Sequence, residues 1–302
     1  MTSSSYSNQA DQFSRQIKIG LLLALVSSFL FSLKPIIIKQ AYAYGADSES
    51  VMLLRMWFAM PFYLVMLYMV RSEIRRNLKY VPAFLGMGFL GYFLSSYLDL
   101  LALERISAQT ERIILYAYPS LVILIKCIYD KALPSKKTVL ALVMVYVGIL
   151  LFLPGELHIE GTALGLALMA FCALTFALYV VWSKPLIEKC GTSLFTSGAM
   201  LSAILFTQSH MLHVEVKPIF EFPFEVYIYA LVLAFFCTVI PSYTMSAAIA
   251  RIGSEKSAIA GSTGPVFTSL LAVVLLGESF GIYHASGMTL VIAGVWVLGK
   301  KT

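Results

Sequence analysis

The sequence predicts an all-α polytopic membrane protein: ten transmembrane helices, arranged as two inverted five-helix repeats around a central cavity, with both termini cytoplasmic. Three observations carry this. Of the 302 residues 59% are hydrophobic and 13% charged, and the mean hydropathy is +0.83, a balance no soluble domain of this length carries. Long stretches hold no charge at all, and the two halves of the chain echo each other at a near-constant offset.

Residues 1–16, MTSSSYSNQADQFSRQ, are polar and lack an apolar core or a small-residue cleavage site. They read as a cytoplasmic tail, so the first helix is expected to stay. That helix is the charge-free run 19–33, which ends at Lys34-Pro35, and the second, 51–70, contains only Arg55. The third, 81–98, ends at Asp99; the fourth, 113–125, follows Glu111 and Arg112; the fifth is 138–155. Residues 161–183 form the sixth and end at Lys184-Pro185. The seventh to tenth are 192–209, 226–250, 257–277 and 285–299, none with a charge. Several runs reach the roughly 20 apolar residues that a spanning helix needs, and the shorter ones reach it when a charge sits at a helix end. All are apolar all round rather than alternating, which selects helices over barrel strands. The four cysteines fall in or beside these runs at no metal-ligand spacing and read as reduced, buried small residues.

The net charge of +6 suggests nucleic acid until its placement is considered. Assigned to alternate connections, all but six of the 22 Lys and Arg gather on one side, the exceptions being Lys34, Lys39, Arg55, Arg105, Arg112 and Lys217. The positive-inside rule makes that side, and both termini, cytoplasmic. An even number of helices requires the termini to share a side in any case.

Lys34-Pro35 and Lys184-Pro185 lie 150 residues apart, and Lys39 matches Lys189 at the same offset. "ERISAQTERIILYAYPS" from Glu104 lies over "ARIGSEKSAIAGSTGPV" from Ala250 at an offset of 146, pairing Arg105 with Arg251, Ile106 with Ile252, Ile113 with Ile259 and Pro119 with Pro265. The same offset sets Gly148 on Gly294. The domains are therefore a first five-helix repeat over 17–155 and a second over 160–302. Five being odd, the second repeat enters the membrane inverted, the symmetry by which secondary transporters expose one central site to each side in turn.

The Arg-Ile pair at Arg105, "YAYPSLVIL" from Tyr116, "GPVFTSLLAVVLLGE" ending at Glu278 and the closing "SGMTLVIAGVWVLGK" resemble the drug/metabolite transporter superfamily, and within it the EamA-type ten-helix transporters. The resemblance runs from about Ile17 to Lys300. It implies a ten-helix bundle around a cavity, cytoplasmic termini, and transport of a small metabolite, often outward; it does not imply which one. The first half departs from the pattern, ending "IYDKALP" where a Gly-Glu is common, so Asp130 is at most a shifted counterpart of Glu278.

Ionisable residues within the spans fall in the first half: Lys34, Arg55, Asp99, Glu111 and Arg112. Lys34 lies about 25 Å along a helix begun near Ile17, in the outer third of a core roughly 30 Å thick. Snorkelling cations and structural pairing explain any one of these residues. Five at one level suggest a polar vestibule, since each central charge costs about 2.5–3.5 kcal/mol to insert. Three cations against two anions favour a carboxylate or phosphate, with Arg112 as the two-pronged contact and Lys34 as a point charge. Asp99 and Glu111 suit an ammonium group or a coupling proton. A zwitterion such as an amino acid satisfies both signs.

Pro35 is expected to kink the first helix beside Lys34 and to free the carbonyl of Phe31. Lys184, at the cytoplasmic end of the sixth helix, reads as an orientation charge. The second half offers hydroxyls instead: Ser242, Tyr243 and Thr244 beside Pro241, and Ser262 and Thr263 beside Pro265. Tyr243 and Ser262, with Tyr116, complete the candidate substrate-binding set, and Tyr92, Tyr97 and Tyr118 are further rings able to stack.

"GMGFLG" from Gly86 matches G-x-G-x-x-G but sits inside an apolar helix, where close helix packing explains it. His210 and His213, with Glu215, have metal-like spacing in a loop and read as surface residues. With no P-loop and no hydrolase pattern, the chain reads as neither an ATP-driven pump nor an enzyme, and no cofactor or metal is called for. The expected protein is a gradient-driven carrier in a bacterial cytoplasmic (inner) membrane, working by alternating access on a small zwitterionic or anionic metabolite, with export, proton coupling and counter-solute coupling left open. Its partners are that solute and the lipid bilayer. A membrane-embedded enzyme, a lipid-handling protein and a drug exporter are the alternatives.

Overall fold

The computed structural model describes residues 3–106, 108–151, 162–214, 217–264, 266–267 and 281–299. Their regular structure is helical, as expected of apolar segments that must satisfy their own backbone groups. α1 (Ser3–Ala43) runs from the polar N-terminal stretch through the first apolar run and past Pro35. α2 (Ser48–Met69) is started by Asp47, whose carboxylate accepts the Ser50 amide. α3 (Arg71–Asn77), α4 (Val81–Met87) and α5 (Ser95–Leu103) form one apolar length, Arg71–Leu103, with a π turn over Gly88–Leu94.

The expected fourth helix is divided into α6 (Ala108–Leu115) and α7 (Tyr118–Asp130). Pro119 sits in the first turn of α7, where its missing N–H costs nothing, and the chain turns at Tyr116-Ala117 just before it. α8 (Lys136–Leu151) follows. α9 (Ala163–Cys190) is capped by Thr162, contains Pro185, and stops at Gly191, whose φ of 78° suits glycine. α10 (Thr192–Met211), α11 (Phe224–Ala234) and α12 (Ile240–Gly261) come next, with a π turn over Phe235–Val239 between the last two, and α13 (Ile282–Gly299) closes the described chain. Among the described residues five helices are long and apolar enough to cross a membrane: Ser14–Ala43, Ser48–Met69, Arg71–Leu103, Ala163–Cys190 and Phe224–Gly261.

The sequence separates 226–250 from 257–277 by a charged connection, and the structure breaks at the same place: the length Ile240–Gly261 is two helical stretches meeting at a kink. One residue, Gly253 at φ 82° and ψ 169°, marks the boundary, because a single left-handed glycine redirects the chain without a loop. Gly155, Glu215, Pro265, Glu278, Lys300 and Lys301 lie outside the described residues.

Packing between helices is reproduced when the two halves are exchanged. α1 lies along α12, and its counterpart α9 lies along α5 and α7; α2 packs on α10, and α8 on α13. At the α8–α13 crossing a Cβ on Gly148 would come 2.7 Å from Val291 Cγ2, and one on Gly294 would come 2.9 Å from Val145 Cγ2. The pair that the repeat sets on one another is thus the pair that lets these helices touch. Arg105 and Arg251, another such pair, each donate to a carbonyl four residues back, Leu101 O at 2.7 Å and Ala247 O at 2.9 Å. Hydroxyls tie α1 to α12: Ser27 donates to Pro241 O at 3.0 Å and Ser28 to Gly261 O at 2.6 Å. Lys126 of α7 reaches Asp130 at 3.2 Å and Glu255, just past Gly253, at 2.9 Å.

Candidate functional site

Between the halves lies a cavity of about 850 Å³, counting its open mouth. From α1 it takes Ser28, Phe31 and Lys34, three residues apart and so on one helix face. α2 supplies Arg55 and Met56; the π turn and α5 supply Gly91, Tyr92, Ser95, Ser96 and Asp99; α6 supplies Glu111 and Leu115, with Tyr116 and Tyr118 beyond. The second half contributes Cys172, Phe176, Met200, Cys237, Thr238, Met245 and Gly261. Every charged lining residue among those described comes from the first half.

Lys34 Nζ lies 2.6 Å from Asp99 Oδ2, with side chains 15% and 4% exposed. This is a charge-assisted contact held between two helices, α1 and α5. Arg55 is 3% exposed, and its Nε and Nη2 have no hydrogen-bond partner among the described residues. Those two nitrogens form one edge of the guanidinium, the edge that takes a carboxylate side-on through two parallel N–H···O bonds. A buried, unmatched cationic donor carries a desolvation cost that a ligand anion relieves. Glu111 is buried at the same cavity. The described lining thus holds two cations and two anions, together with the hydroxyls of Ser28, Ser95, Ser96 and Thr238, within a wall of aromatic, aliphatic and sulfur-bearing side chains.

Of the residues singled out in the sequence, Lys34, Arg55, Asp99, Glu111 and Tyr116 meet at this cavity. Arg112 lies on α6 next to Glu111, and its side chain is outside the described residues. Tyr243 and Ser262 are not among the lining residues: Tyr243 Oη pairs with Ser197 Oγ at 2.7 Å, and Ser262 Oγ donates to Ile259 O at 2.8 Å. Thr238 supplies the second half's lining hydroxyl. Tyr92 and Tyr118 line the cavity, Tyr92 pairing with Tyr179 at 2.7 Å and Tyr118 donating to Ala258 O at 2.8 Å. Tyr97 instead packs on Phe93 and His210. Gly88 and Gly91 of "GMGFLG" press against Ala199 and Tyr179, which is helix packing and no nucleotide cradle. Cys172, Phe176, Met200, Cys237 and Met245 were not legible as lining residues, because apolar side chains read alike whether they face a cavity, a neighbour or lipid.

Apolar helices packed as two interchangeable sets around a buried, charged cavity define a class: a helical membrane transport protein. The EamA-like transporter family model matches residues 18–153 and again 163–300. The chain belongs to that family, within the drug/metabolite transporter superfamily. It is 28% identical over 303 residues to the uncharacterized transporter YcbK of Bacillus subtilis (strain 168), covering 95% of this chain and 96% of that one. A solved crystal structure superposes with a TM-score of 0.72 over 92% of this chain and 96% of its own, at 17% identity, a likeness of fold alone.

Proposed function

We propose that this transporter is a gradient-driven carrier of a small zwitterionic or anionic metabolite, an amino acid or a derivative being the simplest fit. The observation that carries the proposal is the buried Nε–Nη2 edge of Arg55, facing a cavity that also holds Lys34, Asp99 and Glu111. A carboxylate answers Arg55, and an ammonium answers the acids. Arg112, one residue from Glu111, belongs to the proposed set by its place in the chain. Ten spans in inverted repeats, cytoplasmic termini and residence in a bacterial inner membrane complete the proposal, supported by charge placement and by the exchangeable packing of the halves.

The test is radiolabel uptake into proteoliposomes across amino acids, nucleotides, sugar phosphates and cationic dyes, with wild type beside Arg55→Ala. One zwitterionic or anionic class is expected to be carried, and Arg55→Ala to lower its flux by on the order of 100-fold while the protein still elutes as wild type. Flux confined to cationic dyes would overturn the proposal in favour of a drug exporter.

A further inference from the structure

Lys34 and Asp99 both line the cavity, yet in the structure they hold each other. The contact point matters: Asp99 Oδ2 is where a ligand ammonium would bind, and it is occupied by a tethered ammonium, Lys34 Nζ, at 2.6 Å. In the same cavity Arg55 offers its open edge. From this we infer that the Lys34–Asp99 pair is a selectivity device that admits only ligands bearing both charges; the inference rests on the proposed function and narrows it from zwitterions or anions to zwitterions.

The physical reason is charge balance in a place where unpaired charge is expensive. An amine without a carboxylate that takes Asp99 Oδ2 must push Lys34 away, leaving Lys34 and Arg55 with no added anion, so the exchange of one ammonium for another gains nothing. An acid without an amine satisfies Arg55 but brings no cation to replace Lys34 at Asp99 Oδ2 if Lys34 swings toward it. A zwitterion does both: its ammonium replaces Lys34 at Asp99, and its carboxylate receives Arg55 and the released Lys34. Discrimination of this kind comes from groups left unmatched by the wrong ligand, as it does at other polar sites. Lys34 is a specificity-determining residue in this scheme, since it competes at Asp99 and reaches the ligand's carboxylate only after release.

The two members of the pair then bias selectivity in opposite directions, which a merely structural ion pair does not do. Three solutes with one apolar side chain suited to the thioether and aromatic wall separate the cases: leucine, isoamylamine, which lacks the carboxylate, and 4-methylpentanoate, which lacks the amine. Uptake is measured in proteoliposomes of the full chain, as kcat/KM ratios within each protein, so that differences in folded yield cancel. Wild type is expected to favour leucine at least about tenfold over either analogue. Lys34→Ala is expected to raise the amine-to-leucine ratio at least about tenfold, and Asp99→Asn to raise the acid-to-leucine ratio by a similar factor, each near the value of one charge-assisted bond. Lys34→Gln, which keeps a polar side chain at the cavity, should shift the ratio in the same direction as Lys34→Ala.

Ratios unchanged from wild type would overturn the inference while leaving the proposed function standing. Equal loss of all three fluxes in Lys34→Ala, Lys34→Gln and Asp99→Asn, with wild-type elution, would make the pair structural and also overturn it. A wild type that carries an acid or an amine as well as leucine sinks this inference alone, whereas one that carries no zwitterion or anion in the wider panel removes the proposed function with it.

Discussion

Arg55 is the residue on which the site depends most. Removing its side-on edge should cost two charge-assisted hydrogen bonds to a ligand carboxylate, roughly 2–3 kcal/mol in transition-state binding, or on the order of 100-fold in kcat/KM. Arg55→Lys keeps the charge and loses the fork, so about tenfold is expected to remain lost. Uptake kinetics of Arg55→Ala and Arg55→Lys with the panel's best substrate check both: wild-type activity in Arg55→Lys would show that charge rather than geometry matters, and equal loss in the two variants that the fork alone matters. Single residues were legible where they broke a rule of the membrane. Lys34, Arg55, Asp99 and Glu111 stood out because charge inside an apolar run demands a reason, and the structure brings all four to one cavity. Tyr243 and Ser262 broke no rule: a hydroxyl in a spanning helix satisfies itself equally well on a neighbour, as Tyr243 does with Ser197, or on its own helix, as Ser262 does.

At the scale of elements, the glycine contacts give a matched pair of expectations. A Cβ at Gly148 would lie 2.7 Å from Val291 Cγ2 and 2.8 Å from Gly287 O, so Gly148→Val should separate α8 from α13. A loss of about 1–3 kcal/mol is expected, read as a lower melting temperature in detergent. Gly86 has nothing within 4 Å of a Cβ and lies in α4, so Gly86→Ala should leave the melting temperature unchanged or raise it slightly. Equal destabilisation by both would contradict this packing. Among the described residues the helices lie over the apolar runs. What the runs did not reveal was how the breaks are made: α6 and α7 part where the chain turns before Pro119, whereas the expected break between Arg251 and Lys256 is made by Gly253 alone, without a loop.

Over the whole molecule the repeat was legible at its fixed offsets, and the packing closes under exchange of the halves. The Lys126–Glu255 contact joins those halves, with side chains 35% and 21% exposed. Lys126→Ala should therefore change stability by no more than about 1 kcal/mol, measured by thermal unfolding. By contrast, a cleavable thiol crosslinker between Lys126→Cys and Glu255→Cys, in a background without the four native cysteines, should arrest uptake, and cleavage should restore it. Undiminished flux with complete crosslinking would mean that α7 and α12 travel together. The two π turns, Gly88–Leu94 and Phe235–Val239, also occupy matching places, since an offset of 146 carries 88–94 onto 234–240. Each residue of an α-helix advances the helix by about 100°, so these turns set the angular phase of everything downstream. Deleting one residue from α4, with the π turn kept, would rotate Ser95, Ser96 and Asp99 by about that angle away from the cavity without altering a side chain. Relatives that differ by a single insertion in this stretch would therefore read different faces of the same helix into the cavity, and their solutes would diverge more than their sequences do.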